Sequence, residues 1–238
     1  VASQEVPPEM KVVDIVPKLF KTDQGITVEP PYGVVSRKVT AEMSVHTVNT
    51  DMYVGHRTTV EKAGFRIDLA AISSYAAAYL ISNTYSKQDL NQYFYVDMGA
   101  KITTVTIIGH KFVPYEIKTF NKRGGDDLTQ AIASRFKINF HEAEKLKLRY
   151  GYDPKVRTYE LPIFEGTNME GLQITLWQRD LNKVIDEFFD SLVKNIVNGM
   201  ELALKESKAI PQNFPIFIGG GASKLMGIEY LLEKLKPH

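Results

Sequence analysis

The sequence contains no cysteine, no apolar run near the ~20 residues of a membrane-spanning helix, and almost no net charge. Each absence excludes something. Without cysteine there are no disulfides, no thiolate metal sites and no cysteine nucleophile, a composition that fits a reducing compartment. Lys and Arg number 29 against 28 Asp and Glu, a formal charge of +1 with no bulk attraction for a polyanion, so nucleic acid is not expected as a partner. The N-terminus lacks the basic-then-apolar pattern of a secretion signal, which points to a cytoplasmic protein. A chain that opens on Val1 is expected to be trimmed or partial.

What is present is a globular composition, 238 residues with 44% hydrophobic, enough for one large domain or two small ones. Val12 to Val16 and Lys18 to Lys21 read as short strands on either side of Pro17, followed by a turn, a loop through GITVEPPYG and a long strand from Arg37 to Val48. Asp51 is expected to cap a helix that runs to about Ala63 and stops at Gly64. The small-residue run AAISSYAAAYLIS predicts a closely packed helix. Tyr93 to Val96, Ile102 to Ile108 and Phe112 to Phe120 predict a meander, and Leu128, Ile132 and Phe136 mark the helix after it. His141 to Arg149 predicts a second helix ending at Gly151, and 152 to 176 reads as irregular, with short strands near Tyr159 to Phe164 and Leu172 to Leu176. From about Asp180 to Lys205, apolar residues at helical spacing predict a long amphipathic helix with Phe188 in its core stripe. PIFIGGGASKL then predicts a strand, a glycine turn and a helix starting near Leu225.

Three stretches carry chemistry. In YFYVDMGAKITTVTIIGH an otherwise buried strand ends on Asp97, and burying a carboxylate is costly unless a cation or donors meet it. Either Gly99 simply reverses a hairpin, or its N–H groups face a phosphate, with a hydroxyl from Thr103 or Thr104 and a hydrated Mg²⁺ held by Asp97. Gly219, Gly220 and Gly221 form either a tight strand-to-helix turn or a backbone surface for a ligand, without the Lys of a Walker loop. Glu144 and Lys147, one helical turn apart, are either a solvated ion pair or a grip on neighbouring hydroxyls such as those of a ribose.

Taken in order, acid-x-Gly, Gly-Gly-Asp, Glu-x-x-Lys and strand-Gly-Gly-Gly resemble one lobe of an actin-type nucleotide fold. More specifically, the chain resembles the bacterial cell-division FtsA family. The resemblance lies in VDMGAKITTVTI, in KRGGDDLTQAIASRF followed by HEAEKLKLRYG, in FIGGGASKLMGIEYL, and in the weaker VVDIVPKLF…ITVEPPYG…VTAEMSVHTV and VEKAGFRIDLAAISSYAAAYL. It implies an α/β actin-like ATPase (ribonuclease H-like) fold with the second lobe largely complete and the first lobe and inserted subdomain only in part. On that basis 1–50 belongs to the inserted subdomain and 51–92 to a first-lobe remnant and connecting helix. Segments 93–125 and 213–238 form the nucleotide-binding core of the second lobe, and 126–212 its small outer subdomain.

The resemblance further implies ATP and Mg²⁺ as cofactors of the full-length protein, with Asp97 on the metal. Asp97, Gly99 and Thr103 would contact phosphate, and Gly124 and Gly125 sugar or phosphate. Glu144 and Lys147 would hold the ribose, and Gly219, Gly220, Gly221 and Ser223 the adenosine. Alanine at Glu144 or Lys147 is expected to weaken ATP binding while barely changing stability. The implied partners are the C-terminal peptide of FtsZ, through the outer subdomain, and further copies of the protein in filaments. Phe188 stands where the family tends to carry an arginine. The membrane, at the inner face of the division septum, would be reached only through a segment absent here. Ile102 offers no hydroxyl where the family has threonine, and Ser73 stands where related chaperone ATPases carry an acid, so at most weak ATPase activity is expected, with no catalytic residue assigned. One phosphate loop of two is present, so the chain alone is expected to bind ATP weakly or not at all. The alternatives are a PilM-like scaffold of pilus assembly and a sugar-kinase or chaperone-type ATPase; neither a substrate-side catalytic acid nor an unbroken Gly-Gly-Thr appears for the last two.

Overall fold

The computed structural model describes residues 6–27, 30–85, 92–109, 114–156, 162–207 and 214–235. They fall into two compact units, Val1–Tyr93 with Ile108–Tyr115, and Phe94–Ile107 with Glu116–His238.

In the first unit, β1 (Met10–Thr22), β2 (Gly25–Thr27) and β3 (Thr40–Asn49) form an antiparallel sheet in the order β2-β1-β3. The sequence predicts a break at Pro17, yet β1 runs through it. The ladder to β3 shifts register between Pro17 and Leu19, and β2 pairs only with Phe20 to Thr22, so the other edge of β1 makes no demand on the missing N–H of Pro17. Part of the expected loop GITVEPPYG is β2, because the tight reversal after Thr22 lays Gly25 to Thr27 back against β1. Helix α1 (Thr50–Lys62) is capped not by Asp51 but by Asn49, whose Oδ1 accepts from the Met52 N–H at 3.0 Å. Asp51 sits in the first turn, where the helix dipole favours an acid. Helix α2 (Ser73–Thr84) buries Ser74, Ala78 and Ser82, one small residue per turn. The Tyr93 hydroxyl donates to the Ala78 carbonyl at 3.1 Å, and burial pushes that phenol up to about 12.

The second unit contains β4 (Tyr93–Met98), β5 (Ile102–Ile108) and β6 (Pro114–Asn121), then α3 (Gly125–Phe136) and α4 (Phe140–Tyr150). The hairpin β7 (Pro162–Thr167) and β8 (Gln173–Trp177), helix α5 (Gln178–Ser207), β9 (Ile216–Gly219) and α6 (Ile228–Leu232) follow. The expected strand starts at Phe112 and Tyr159 lie outside the described residues. The sheet order is β6-β5-β4-β9, and a three-residue link makes β4 and β5 a hairpin, since a parallel pair needs a longer crossover. β9 returns after more than ninety residues to pair parallel with β4, Phe94 opposite Ile216 and Asp97 opposite Gly219. Two chain turns therefore leave the same end of two neighbouring parallel strands, where ligands bind in open α/β sheets.

β5 is covered on both faces, with Thr103, Val105, Thr106, Ile107 and Ile108 buried in near succession. Helix α5 contributes the largest apolar stripe: Leu181, Ile185, Phe189, Leu192, Ile196 and Ala203. Spacing alone predicts Phe188 in that stripe, and this is corrected. From Leu181 two steps of four, through Ile185, land on Phe189, which is 1% exposed, while a step of three from Ile185 would reach Phe188, which is half-buried and packs edge-on against its neighbour. After β9 comes a 3-10 turn, Gly221–Lys224, closed by Leu225 N–H to Ala222 O at 3.2 Å; α6 begins only at Ile228, later than the expected start near Leu225.

The two phenylalanines should separate in urea unfolding: Phe189→Ala is expected to cost about 3–5 kcal/mol and Phe188→Ala only about 1 kcal/mol. Equal midpoints for the two variants would contradict this frame for α5.

Candidate functional site

The turn after Asp97 is a hairpin turn whose Gly99 amide and Gly99 and Ala100 carbonyls are spent on structure. The Gly99 N–H donates to Ile102 O at 2.9 Å. The carbonyls of Gly99 and Ala100 accept from the N–H groups of Gly125 (2.9 Å) and Asp126 (2.7 Å), and the Gly124 N–H donates to Asp127 Oδ2 at 2.9 Å. The first amides of α3, which would otherwise attract an anion, are thus used to seat the helix on the β4–β5 turn. Gly124 makes this approach possible, because a Cβ there would press into the Ala100 carbonyl. Thr103, fully buried, donates its hydroxyl to Arg123 O at 2.6 Å and ties the start of β5 to the same junction.

Beside it lies a buried polar cluster between α3 and α4. Lys147 is only 8% exposed, and its Nζ donates to Gly125 O at 3.0 Å, to Thr129 Oγ1 at 2.7 Å and to Glu144 Oε2 at 2.7 Å. Three donors meet three acceptors. Thr129, itself buried, hydrogen-bonds both Gly125 O and the Glu144 carboxylate. Burial works to raise the Glu144 pKa, but hydrogen bonds from Lys147 and Thr129 and the charge of Lys147 outweigh it, holding the carboxyl below its ordinary 4.5. The solvated ion pair is excluded by this burial, and the expectation of a stability-neutral Lys147 is corrected, because its loss removes one hydrogen bond each from Gly125 O, Thr129 and Glu144 and leaves the Glu144 carboxylate without its cation.

The third wall is the turn after β9. Gly220 has φ of 87°, and a Cβ there would collide with Asp97 Oδ1 and the Met98 carbonyl, so the two turns touch through backbone and one carboxylate. Ser223 donates to Gly220 O at 2.7 Å and closes the turn on itself. Gly219 lies against Tyr95, whose phenol pKa is raised by burial and by the charge of Asp97.

A cleft of about 280 Å³ opens where these pieces meet, close to the lower end of the ~300–1,000 Å³ of small-molecule sites. Of the residues singled out in the sequence, Gly124, Gly125, Glu144, Lys147 and Gly221 line it. Asp97, Gly99, Gly219 and Gly220 form the two touching turns, and the hydroxyls of Thr103 and Ser223 are spent within the fold. Sequence reasoning left out Arg123 at the turn end and Leu148, Phe188 and Leu225 in the apolar part of the lining. Nothing in a single sequence marks them, because they converge from α4, α5 and two turns. Among the described residues no group of three or more acidic, His or Cys side chains is arranged to hold a metal. A metal at this site would rest on Asp97 together with ligand oxygens and water, the manner in which Mg²⁺ is ordinarily held.

A sheet whose neighbouring parallel strands end in two glycine turns, with α3 seated on the first of them, is an arrangement of the actin fold. Solved structures of that fold superpose on it. One is the PilM-PilN type IV pilus biogenesis complex (TM-score 0.66, 18% identity, 98% of this chain and 56% of that one), another MreB5 of Spiroplasma citri bound to ADP (TM-score 0.58, 15% identity, 78% and 58%). The sequence model of cell division protein FtsA matches residues 94–237, and the chain belongs to that family. Among curated relatives, FtsA of Enterococcus faecalis is 26% identical over 235 residues and FtsA of Bacillus subtilis 24% over 235. The alignments cover 98% and 96% of this chain but 51% and 50% of those proteins, so the chain spans about half the length of its relatives.

The cluster yields two expectations. Lys147→Met should cost about 1.5–3 kcal/mol in chemical denaturation, the magnitude of hydrogen bonds to a charged group. A Glu144 pKa lowered by folding means that its ionised form stabilises the protein above about pH 4.5 and that this contribution is lost as pH falls through the lower, folded-state value. The stability gap between wild type and Glu144→Gln should therefore be constant above pH 5 and shrink below 4.5; a gap that widens on acidification would contradict the assignment.

Proposed function

We propose that this chain forms the ATP-binding half of an FtsA-type actin-like protein, one that polymerises and links the FtsZ ring to the cytoplasmic membrane at the division septum. Membership of the FtsA family supports the cell-division role. The observation that carries the nucleotide reading is the convergence on one cleft of the β4–β5 turn, the Gly124–Gly125 start of α3, the Glu144–Lys147 cluster and the turn after β9. A structural neighbour of the same fold, MreB5, holds ADP.

Asp97 would hold Mg²⁺, which neutralises phosphate charge when bound. Glu144 would accept from a ribose hydroxyl, with Lys147 fixing its orientation, and the turn Gly219–Ser223 together with Leu148 and Leu225 would enclose the adenosine. Segment 126–212 is assigned as the outer subdomain that docks the FtsZ C-terminal peptide, and filament formation as the route of self-association. No helix among the described residues is long and apolar enough to cross a membrane.

Calorimetry on the full-length gene product tests the reading. Wild type is expected to bind ATP more tightly with Mg²⁺ than with chelator, and Asp97→Asn to lose about tenfold with Mg²⁺ while matching wild type in chelator. The 238-residue chain alone should bind more weakly than the full-length protein. Absence of ATP binding by the full-length wild type would remove the nucleotide reading.

A further inference from the structure

Three cations line the cleft: Lys147, Arg123 and Lys224. Lys147 is committed to three protein acceptors and has no donor left for a ligand. Lys224 is exposed on the 3-10 turn. Arg123 is different. It is half-buried at the junction of β6 and α3, and its Nε is buried with no hydrogen-bond partner. The guanidinium makes one contact, a donation from Nη1 to the neighbouring Lys122 carbonyl at 3.1 Å, and among the described residues no carboxylate pairs with it. A buried guanidinium donor left unmade is costly, and such groups are ordinarily found on carboxylate or phosphate.

Its position says which end of the cleft it serves. The Arg123 carbonyl is held by Thr103, the second residue of β5, and the next residue, Gly124, abuts Ala100 of the β4–β5 turn. Arg123 therefore stands beside the turn that follows Asp97, while Leu148, Phe188 and Leu225 make up apolar lining contributed by α4, α5 and the last turn. In the β4–β5 turn the Gly99 amide and the first amides of α3 are consumed within the protein, Ile102 carries no hydroxyl, and the turn's own cation, Lys101, is exposed and does not line the cleft.

We infer that Arg123 is the phosphate-binding cation of this cleft, its outer guanidinium N–H donors, which no carboxylate of the described residues claims, meeting the phosphate oxygens of a nucleoside di- or triphosphate in place of the turn's missing hydroxyl. This rests on the nucleotide reading of the site and adds to it the residue that makes binding depend on phosphate. A guanidinium offers two parallel N–H donors to a phosphate, so Arg123→Lys keeps the charge and loses the fork.

The test is calorimetry on the full-length gene product with Mg·ATP, Mg·ADP and adenosine, with circular dichroism to confirm that each variant is folded. Arg123→Gln is expected to weaken ATP and ADP by about tenfold or more and to leave adenosine as in wild type, with Arg123→Lys recovering part of the loss. The ATP affinity of wild type should also fall with added salt more steeply than that of Arg123→Gln. Wild-type ATP-to-adenosine affinity ratios in folded Arg123→Gln or Arg123→Lys would overturn the role of Arg123 alone. Failure of wild type to bind either ATP or adenosine would overturn the nucleotide reading and this inference with it.

Discussion

The second unit depends on one buried ammonium. Removing a charge from water costs several kcal/mol, and it is tolerated only when every donor on it meets an acceptor. Lys147 satisfies that demand with groups from two helices: a backbone carbonyl and a hydroxyl on α3, and a carboxylate one turn away on α4. Sliding α3 against α4 would break several of these contacts at once. Because the start of α3 is also hydrogen-bonded to Gly99 and Ala100, the constraint passes from α4 through α3 to the end of the sheet. The cleft is consequently framed by positions fixed before any ligand arrives, which lowers the ordering cost of binding.

The same bonds carry a trade-off. An anion site is commonly made from free amides at a helix N-terminus, yet here the first amides of α3 are given to the turn carbonyls and to Asp127. What those amides gain in rigidity they lose as phosphate ligands. Under the proposed nucleotide reading the electrostatic work at this end of the cleft would fall to side chains, Asp97 through a cation and Arg123 by direct contact, and both side chains extend from turns whose backbones are fixed by hydrogen bonds. Gly220 brings the last turn to within contact of Asp97, so the positions of the two turns are coupled through that carboxylate.

Much of this was legible in the sequence, and the gaps have physical reasons. The glycine turns, the Gly-Gly-Asp start of α3 and the Glu-x-x-Lys step are local patterns, and together they marked the family over the segment that its model matches. Element types held where periodicity was long, as in α5, but Phe188 and Phe189 flank one stripe and spacing alone chose the wrong one. Asn49 both ends β3 and caps α1, and with Asp51 two positions on as a second capping residue type, the sequence alone does not choose between them. Glu144 and Lys147 have the same spacing whether solvated or buried; what decides is Thr129 and Gly125, which meet Lys147 from 18 and 22 positions upstream. Arg123 gave no signal at all, because its importance comes from what it lacks, a partner.

The state of Glu144 also bears on what the cleft is suited to do. An efficient general base has a pKa near the working pH, so that it can both hold and release a proton. Glu144 is displaced in the opposite direction: burial would raise its pKa, but Lys147 and Thr129 overcome that and keep it ionised far below neutrality. A carboxylate fixed in this way accepts hydrogen bonds well and takes up protons poorly. Its Oε2 accepts from a lysine that itself cannot move without breaking its hydrogen bonds to Gly125 O and Thr129. A wall built this way is suited to accepting hydrogen bonds in a fixed orientation, which uses the rigidity the buried cluster supplies and gains nothing from proton transfer.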